Sequence, residues 1–295
     1  MLEKLSQSGI GCYVGNVFCG ALAYADDIVI LAPNKSALST MLEIAQQCAI
    51  ELKLQFNGSK SQYVVFRSKH SVCHEKSSIV FSGANVIESS QGIHLGNILV
   101  KSSLRECITN AISDLNKRTN LLSSRFSFCT PEVRYRLFKS HCVIAYGSPL
   151  WNFDSPVVAD YYTAWRKCVR RVWEIPYRTH CDLLSGICND RDIETQLLSR
   201  SIKFLKTAMS SRNLVLSLCA KLVMRGSRSP LSNSISYIAD KYNVDRHTVA
   251  RGLTLPIDPP SPVCVVLFTT LRWLKTWPGE DRNNFTQILI DLCVD

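Results

Sequence analysis

The chain has 295 residues, 46% of them hydrophobic and 20% charged, with 34 Lys and Arg against 24 Asp and Glu for a formal charge of +10. That composition suits a folded chain and excludes a disordered or low-complexity one. No apolar run of about 18 residues is present to cross a bilayer, and the start lacks the basic and apolar regions of a signal peptide, so an intracellular setting, cytoplasm and nucleus, is expected with no membrane partner. The charge is uneven: residues 101–230 hold 21 Lys and Arg against 10 Asp and Glu, more than the whole excess. Such a field suits a polyanion, although many basic proteins bind no nucleic acid specifically.

In chain order, short apolar runs over 17–23 and 28–31 flank Tyr24, Ala25, Asp26 and Asp27, which predicts a β-hairpin with two acids at its bend. Pro33 and Asn34 stop the second strand. Leu38, Met41, Leu42, Ala45, Cys48, Ala49 and Leu52 then recur at helical spacing, predicting a helix of about four to five turns packed on the sheet. Phe56-Asn57-Gly58-Ser59-Lys60 is turn chemistry leading into a strand over 63–66, and shorter strands are expected at 79–81, 85–87 and 93–95. After Gly96 the pattern turns helical. Ser103 and Glu106 form a capping box before an apolar stripe from Leu104 to Leu115, and Thr130-Pro131-Glu132 starts a helix expected to run to about Tyr146. Ser155-Pro156 opens another through Trp165 to Trp173. More helix is expected over 190–209 and 212–224, then a Ser/Arg-rich link over 226–234 and a last helix near 265–277. The expected class is α+β: a small antiparallel sheet with a helix, followed by mostly helical structure.

Thirteen cysteines raise the question of metal or disulfides. The number is odd, no CxxC pair occurs, and neither His180, Cys181 and Cys188 nor the adjacent pairs Cys73–His74 and His141–Cys142 have a spacing that closes a tetrahedral site. Reduced, mostly buried thiols are expected. Two adjacent aspartates at a tight turn are costly, because like charges this close raise each other's pKa. A divalent cation would compensate, since Mg²⁺ takes a few carboxylate oxygens together with substrate phosphates. Asp is also a common turn residue, so a solvated turn is the plainer alternative.

The stretch from Gly20 to Pro33, with Tyr24-Ala25-Asp26-Asp27 between apolar strands, resembles the active-site hairpin of non-LTR, LINE-type retrotransposon reverse transcriptases. Further likenesses follow in the family's order. Asn57-x-x-Lys60 before Val64-Val65-Phe66 resembles the block leading into a palm strand, and His94-Leu95-Gly96 resembles a Tyr-Leu-Gly segment at the primer grip, with His94 in place of the aromatic. The resemblance spans about residues 9–125, extends less closely to about 225, and implies a partial palm over 1–100, a basic helical thumb over 101–180 and a helical C-terminal extension over 181–295. It implies an RNA-directed DNA polymerase that adds deoxynucleoside triphosphates to a DNA primer on an RNA template with Mg²⁺. Asp26 would be the principal metal ligand and Asp27 its weaker neighbour, with Tyr24 and Ala25 beneath the primer end or incoming nucleotide. Lys60 would act on the pyrophosphate, and Leu95 and Gly96 would seat the primer strand. A surface lysine and an ordinary turn glycine explain Lys60 and Gly96 nearly as well.

The family also uses a metal-binding aspartate on an earlier palm strand, and the only acid before Asp26 here is Glu3. The expectation is therefore a truncated polymerase, inactive alone, or a non-catalytic nucleic-acid-binding remnant of such an element. In the basic segment, Arg166, Lys167, Arg170 and Arg171 lie between Trp165 and Trp173. Helical spacing puts Arg166, Arg170 and Arg171 on one side, where a phosphate backbone could be tracked. A solvated face whose tryptophans belong to the core is the alternative.

Overall fold

Tight hairpins organise the first third of the chain in the computed structural model, which describes residues 1–66, 77–100 and 104–255, the side chains of 97–100 excepted. A short helix α1 (Leu2–Gln7) precedes β1 (Tyr13–Val14) and β2 (Val17–Phe18), which turn through Gly15-Asn16. Next come β3 (Ala21–Tyr24) and β4 (Asp27–Ile30), paired antiparallel around Ala25-Asp26. The predicted first strand is thus divided, because Val17 and Phe18 pair with β1 instead of continuing into β3. Helix α2 (Lys35–Glu51) starts where Asn34 accepts from the Ala37 N–H, and it buries Met41, Ala45, Cys48 and Ala49. These are members of the stripe the spacing predicts, whereas Leu52 lies past the helix end and is exposed.

β5 (Tyr63–Val64) is half the expected length and runs parallel to β7 (Ala84–Ser89), which pairs antiparallel with β6 (Ser78–Phe81). Tyr63, Ile79, Phe81 and Val86 form a small core covered by Leu38, Leu42, Phe56 and Val65. The helical grammar expected after Gly96 begins later than predicted. Leu95 and Gly96, at φ 50 and 74, make a hairpin turn between β8 (Gln91–His94) and β9 (Asn97–Val100).

Of the described residues, those up to 100 together with 207–227 form one compact unit, and 104–206 with 228–255 form another. The first also contains α8 (Leu214–Met224), which packs near β1 and β2. The second holds α3 (Leu104–Arg125), α4 (Pro131–His141), α5 (Val157–Trp173), α6 (Cys181–Cys188), most of α7 (Ile193–Met209), α9 (Pro230–Tyr242) and α10 (Arg246–Gly252). The described residues are therefore mixed α and β, with small sheets confined to the first unit. Ser103 of the expected capping box and the helix expected near 265–277 lie outside them.

Helix α5 is the centre of the second unit, packing on α3, α4 and α6. Its buried residues recur every three or four positions from Val158 through Tyr161, Trp165, Cys168 and Val169 to Val172. Phe138 of α4 is fully buried, with its ring centroid 6.4 Å from that of Trp165. Tyr135 lies 5.8 Å from Trp173 by the same measure. Three boundaries differ from expectation. α4 ends at His141, before the expected Tyr146, and Gly147 at φ 82 leads into a separate 3-10 turn over Ser148–Leu150. α6 was not anticipated, its eight residues being too few for a clear period. The expected link over 226–234 ends at Ser229, whose side chain accepts from the Ser232 N–H and starts α9 at Pro230.

None of the ten cysteines among the described residues is in a disulfide, but only Cys48, Cys142, Cys168 and Cys188 are buried, fewer than expected. Burial foremost pushes up the thiols of Cys142, Cys168 and Cys188, the last to about 12, and likewise the hydroxyls of Tyr135, Tyr161 and Tyr162. These groups stay neutral when folded while their unfolded counterparts ionise near 9.0 and 10.0. The stability they contribute is complete below about pH 8 and is lost as pH rises through the unfolded values toward the folded ones. Urea unfolding followed by tryptophan fluorescence should thus show a midpoint that holds from about pH 7 to 8 and falls by about pH 10. A midpoint unchanged over that range would contradict the burial of these groups.

Candidate functional site

The two aspartates sit at the end of a ribbon with a two-residue turn. Tyr24 pairs with Asp27, Ala23 with Ile28, Leu22 with Val29 and Ala21 with Ile30. Ala25 and Asp26 alone connect the strands, and Ala25 takes the left-handed conformation at φ 52. For a residue with a Cβ that conformation costs about 1–2 kcal/mol, so the ribbon holds the turn against its own preference. Alternation along the strands puts Asp27 on the face that carries Tyr24, Leu22 and Val29. Asp26 and Asp27 are both exposed, and Tyr24, paired with Asp27, is 65% exposed. The tip thus presents two acids and an open aromatic surface on a fixed backbone.

Lys60 ends a 3-10 turn, Gly58–Lys60, that Asn57 braces by accepting from the Lys60 N–H at 3.1 Å and the Ser59 hydroxyl at 2.7 Å. Gly58 is required there, because a Cβ would lie 2.5 Å from the Phe81 carbonyl oxygen and 2.8 Å from the Ala84 Cβ. The Ser82 hydroxyl donates to the Phe56 carbonyl, holding the same turn against the β6–β7 hairpin. Lys60 is exposed, and among the described residues no hydrogen bond or ion pair joins it to Asp26 or Asp27. Leu95 and Gly96 are exposed at the tip of the β8–β9 hairpin. That hairpin is tied to the segment before β5 by the Ile93 N–H, which donates to the Gln62 side chain at 2.8 Å.

The basic cluster of α5 is divided. Arg166 is half-buried and donates Nε and Nη2 to the two Asp192 oxygens at 3.3 and 3.1 Å. Burial opposes its charge, and Asp192 more than offsets that, so the guanidinium stays cationic. Arg170 donates twice to the Thr179 carbonyl, at 3.0 and 2.7 Å, and once to the Cys181 sulfur. Arg171 is exposed and donates to the Asn120 side chain. Lys167 is exposed at the rim of a shallow cavity between α3 and α5, about 290 Å³, with Ile112, Asn116, Asp160, Thr163 and Ala164. Two of the residues expected on one basic side are therefore engaged within the protein. Arg166 and Arg170 fasten α5 to the segments that follow it, and Trp165 and Trp173 belong to the core.

Comparison with protein-family models, curated proteins and solved structures gives no match.

The chemistry of the hairpin tip rests on its donor set. Two exposed adjacent carboxylates suit part of a Mg²⁺ shell, which takes one or two carboxylates and fills the rest with water and phosphate oxygens. Among the described residues no group of three His, Cys, Asp or Glu converges to hold a metal ion, so the pair does not close a site by itself. No helix among those residues is long and apolar enough to cross a membrane. Asp192 and the Thr179 carbonyl, which decide what the α5 arginines do, were not singled out in the sequence. The only signals were the position of Asp192 just before α7 and of Thr179 just before α6, both places where helix-capping and turn residues gather.

These placements separate neighbouring residues by experiment. Arg170→Ala leaves a carbonyl without its charged donor and should lower stability by about 1.5–3 kcal/mol, whereas Lys167→Ala should stay within about 0.5 kcal/mol. Urea midpoints of the two variants measure the difference, and equal losses would contradict the division. Gly58→Ala should cost about 1–3 kcal/mol through overpacking against the β6–β7 turn. A thermal melt indistinguishable from the parent would show that this contact is relieved without cost.

Proposed function

We propose that this chain is part of a LINE-type RNA-directed DNA polymerase. In this reading the first unit supplies the palm portion that carries the acidic hairpin, the helices after residue 101 are thumb-like, and those after 181 form a C-terminal extension. The observation that carries the reading is the Tyr24-Ala25-Asp26-Asp27 hairpin, a two-residue turn with exposed carboxylates beside an exposed aromatic residue. Polymerisation of nucleotides needs carboxylates that hold the metal ions binding the triphosphate, at a position open to a large substrate, and the exposed tip supports this reading.

When bound, Mg²⁺ would supply charge neutralisation on the triphosphate and activation of the primer 3′ oxygen. Asp26 and Asp27 would hold it, and a further acidic ligand would have to join them, since the described residues bring none to the tip. Tyr24 offers a flat apolar surface on which a nucleotide or the primer end can rest, and Ala25 keeps the backbone accessible there. Lys60 provides an exposed ammonium for phosphate oxygens, and the Leu95-Gly96 turn provides a backbone edge for the primer strand. In the second unit, phosphate contact from α5 falls to Lys167 with Arg171, because Arg166 and Arg170 are engaged within the protein.

A second reading, a nucleic-acid-binding unit without catalysis, is favoured by the exposed Lys167 and Arg171 of α5. One set of measurements tests both. The 295-residue chain is assayed on a primed RNA template with deoxynucleotides and Mg²⁺, alone and mixed with an upstream palm-and-fingers segment of a LINE-type polymerase. Extension is expected only in the mixture. Asp26→Ala should reduce it by roughly a hundredfold or more and Lys60→Ala by about ten- to a hundredfold, while primed-template binding is retained. Lys167→Ala should lower the salt dependence of binding by about one unit of slope. Binding without extension in any mixture would favour the second reading, and failure to bind a primed template would overturn both.

A further inference from the structure

The β1–β2 hairpin places two cysteines opposite each other next to the acidic ribbon. Its register pairs Val14 with Val17 and Tyr13 with Phe18, so the next pair outward is Cys12 with Cys19. The Cys19 N–H donates to the Cys12 carbonyl at 2.9 Å, which keeps the two backbones side by side one position beyond the paired strands. Directly opposed residues present their side chains on one face. Facing residues of adjacent antiparallel segments have their Cα atoms about 4.5–5.5 Å apart, within the Cα span a disulfide bridges. Tyr13 and Phe18 stack edge to face on the other face, their centroids 5.4 Å apart, and the Phe18 ring fills the space over Gly11 and Gly20. The two thiols are both half-buried and free. Burial first, then the neighbouring Cys12 and Cys219, holds the Cys19 thiol above its ordinary range.

The pair lies at a junction. The Cys12 N–H donates to the Leu31 carbonyl at 3.2 Å, and the Leu31 N–H donates to the Gly20 carbonyl at 2.7 Å. Leu31 is the residue that follows β4, so the backbone of Cys12 helps to hold the strand that begins with Asp27.

We infer that Cys12 and Cys19 form a reversible redox clasp, a disulfide made by a hydroperoxide and opened by a dithiol, that stiffens the base of the Asp26–Asp27 ribbon. The sulfur of one cysteine, as thiolate, attacks a peroxide oxygen. The O–O bond breaks, hydroxide leaves and takes up a proton as water, and a sulfenic acid remains. The second sulfur then attacks the first, the S–S bond forms, and the sulfenic oxygen departs as a second water, so two thiols are oxidised and one peroxide is reduced. The closed form covalently joins the two strands at the residue whose N–H anchors Leu31. This inference is independent of the polymerase reading.

Trypsin offers a direct assay, because Leu5–Lys35 contains Cys12 and Cys19 and no other cysteine. The full chain is treated with hydrogen peroxide, free thiols are alkylated, and the digest is weighed, with a parallel sample oxidised in urea. The expected product is a Leu5–Lys35 peptide about 2 Da lighter and unalkylated, formed about tenfold faster in the folded chain than in urea and absent in Cys12→Ser. Amides from Leu22 to Leu31 should then exchange with deuterium at least about threefold more slowly in the oxidised protein. The clasp is overturned by formation no faster than in urea, by a cross-link to the Cys219 peptide Asn213–Lys221, by separate oxidation of the two sulfurs, or by unchanged exchange in the oxidised protein.

Discussion

Leu31 is the point through which the backbone of the first ribbons is joined. Its N–H donates to Gly20 and its carbonyl accepts from Cys12, so three short segments share one line of hydrogen bonds. Two-stranded ribbons are marginal in water alone. Here β1–β2 and β3–β4 each have one neighbour in the other, and α1 and α2 supply the buried Leu5, Met41 and Ala45. The left-handed Ala25 is tolerable for the same reason. A turn that costs about 1–2 kcal/mol survives only where the strands beneath it are held in register. The placement of the two carboxylates is thus a consequence of hydrogen bonds at the opposite end of their ribbon.

The second unit solves a different problem, how to retain many basic residues around an aromatic core. Helix α5 turns one face entirely inward, and its arginines at the edge of that face are drawn into contacts of their own. Arg166 with Asp192 and Arg170 with the Thr179 carbonyl bind α5 to the segments around the short helix α6. A guanidinium can do this because its planar fork spans two acceptors at once while its stem packs against apolar neighbours. The same physics places Arg134 almost wholly out of solvent, its guanidinium paired with Glu174 at the left-handed end of α5. Net charge over this region therefore overstates how many cations face outward.

Much of the secondary structure was legible because it rests on local rules. Pro33 and Asn34 as the stop of a strand, the stripe from Met41 to Ala49, Pro131 at the start of α4 and Pro156 before α5 all act within a turn or two of themselves. The misreadings arose where a short element carries too little pattern. β9 hides behind a Leu-Gly turn, α6 spans only eight residues, and α9 begins inside a segment whose serines and arginines suggested a linker. Thr130 illustrates a subtler difference, being the N-cap residue by position while making no side-chain cap bond.

By itself the amino-acid order determined that two adjacent acids would stand between apolar strands, that Gly58 would sit in a turn before a strand, and that tryptophans and arginines would share one helix. Only the tertiary structure decided which of those arginines are committed inside the protein, which glycine has no room for a Cβ, and that Cys12 faces Cys19 across a ladder tied to the acidic ribbon. The difference has a physical origin. Periodicity and capping are set by neighbours a few positions away, whereas the partner of a long polar side chain or the space beside a backbone atom is set by residues far off in sequence that folding brings near.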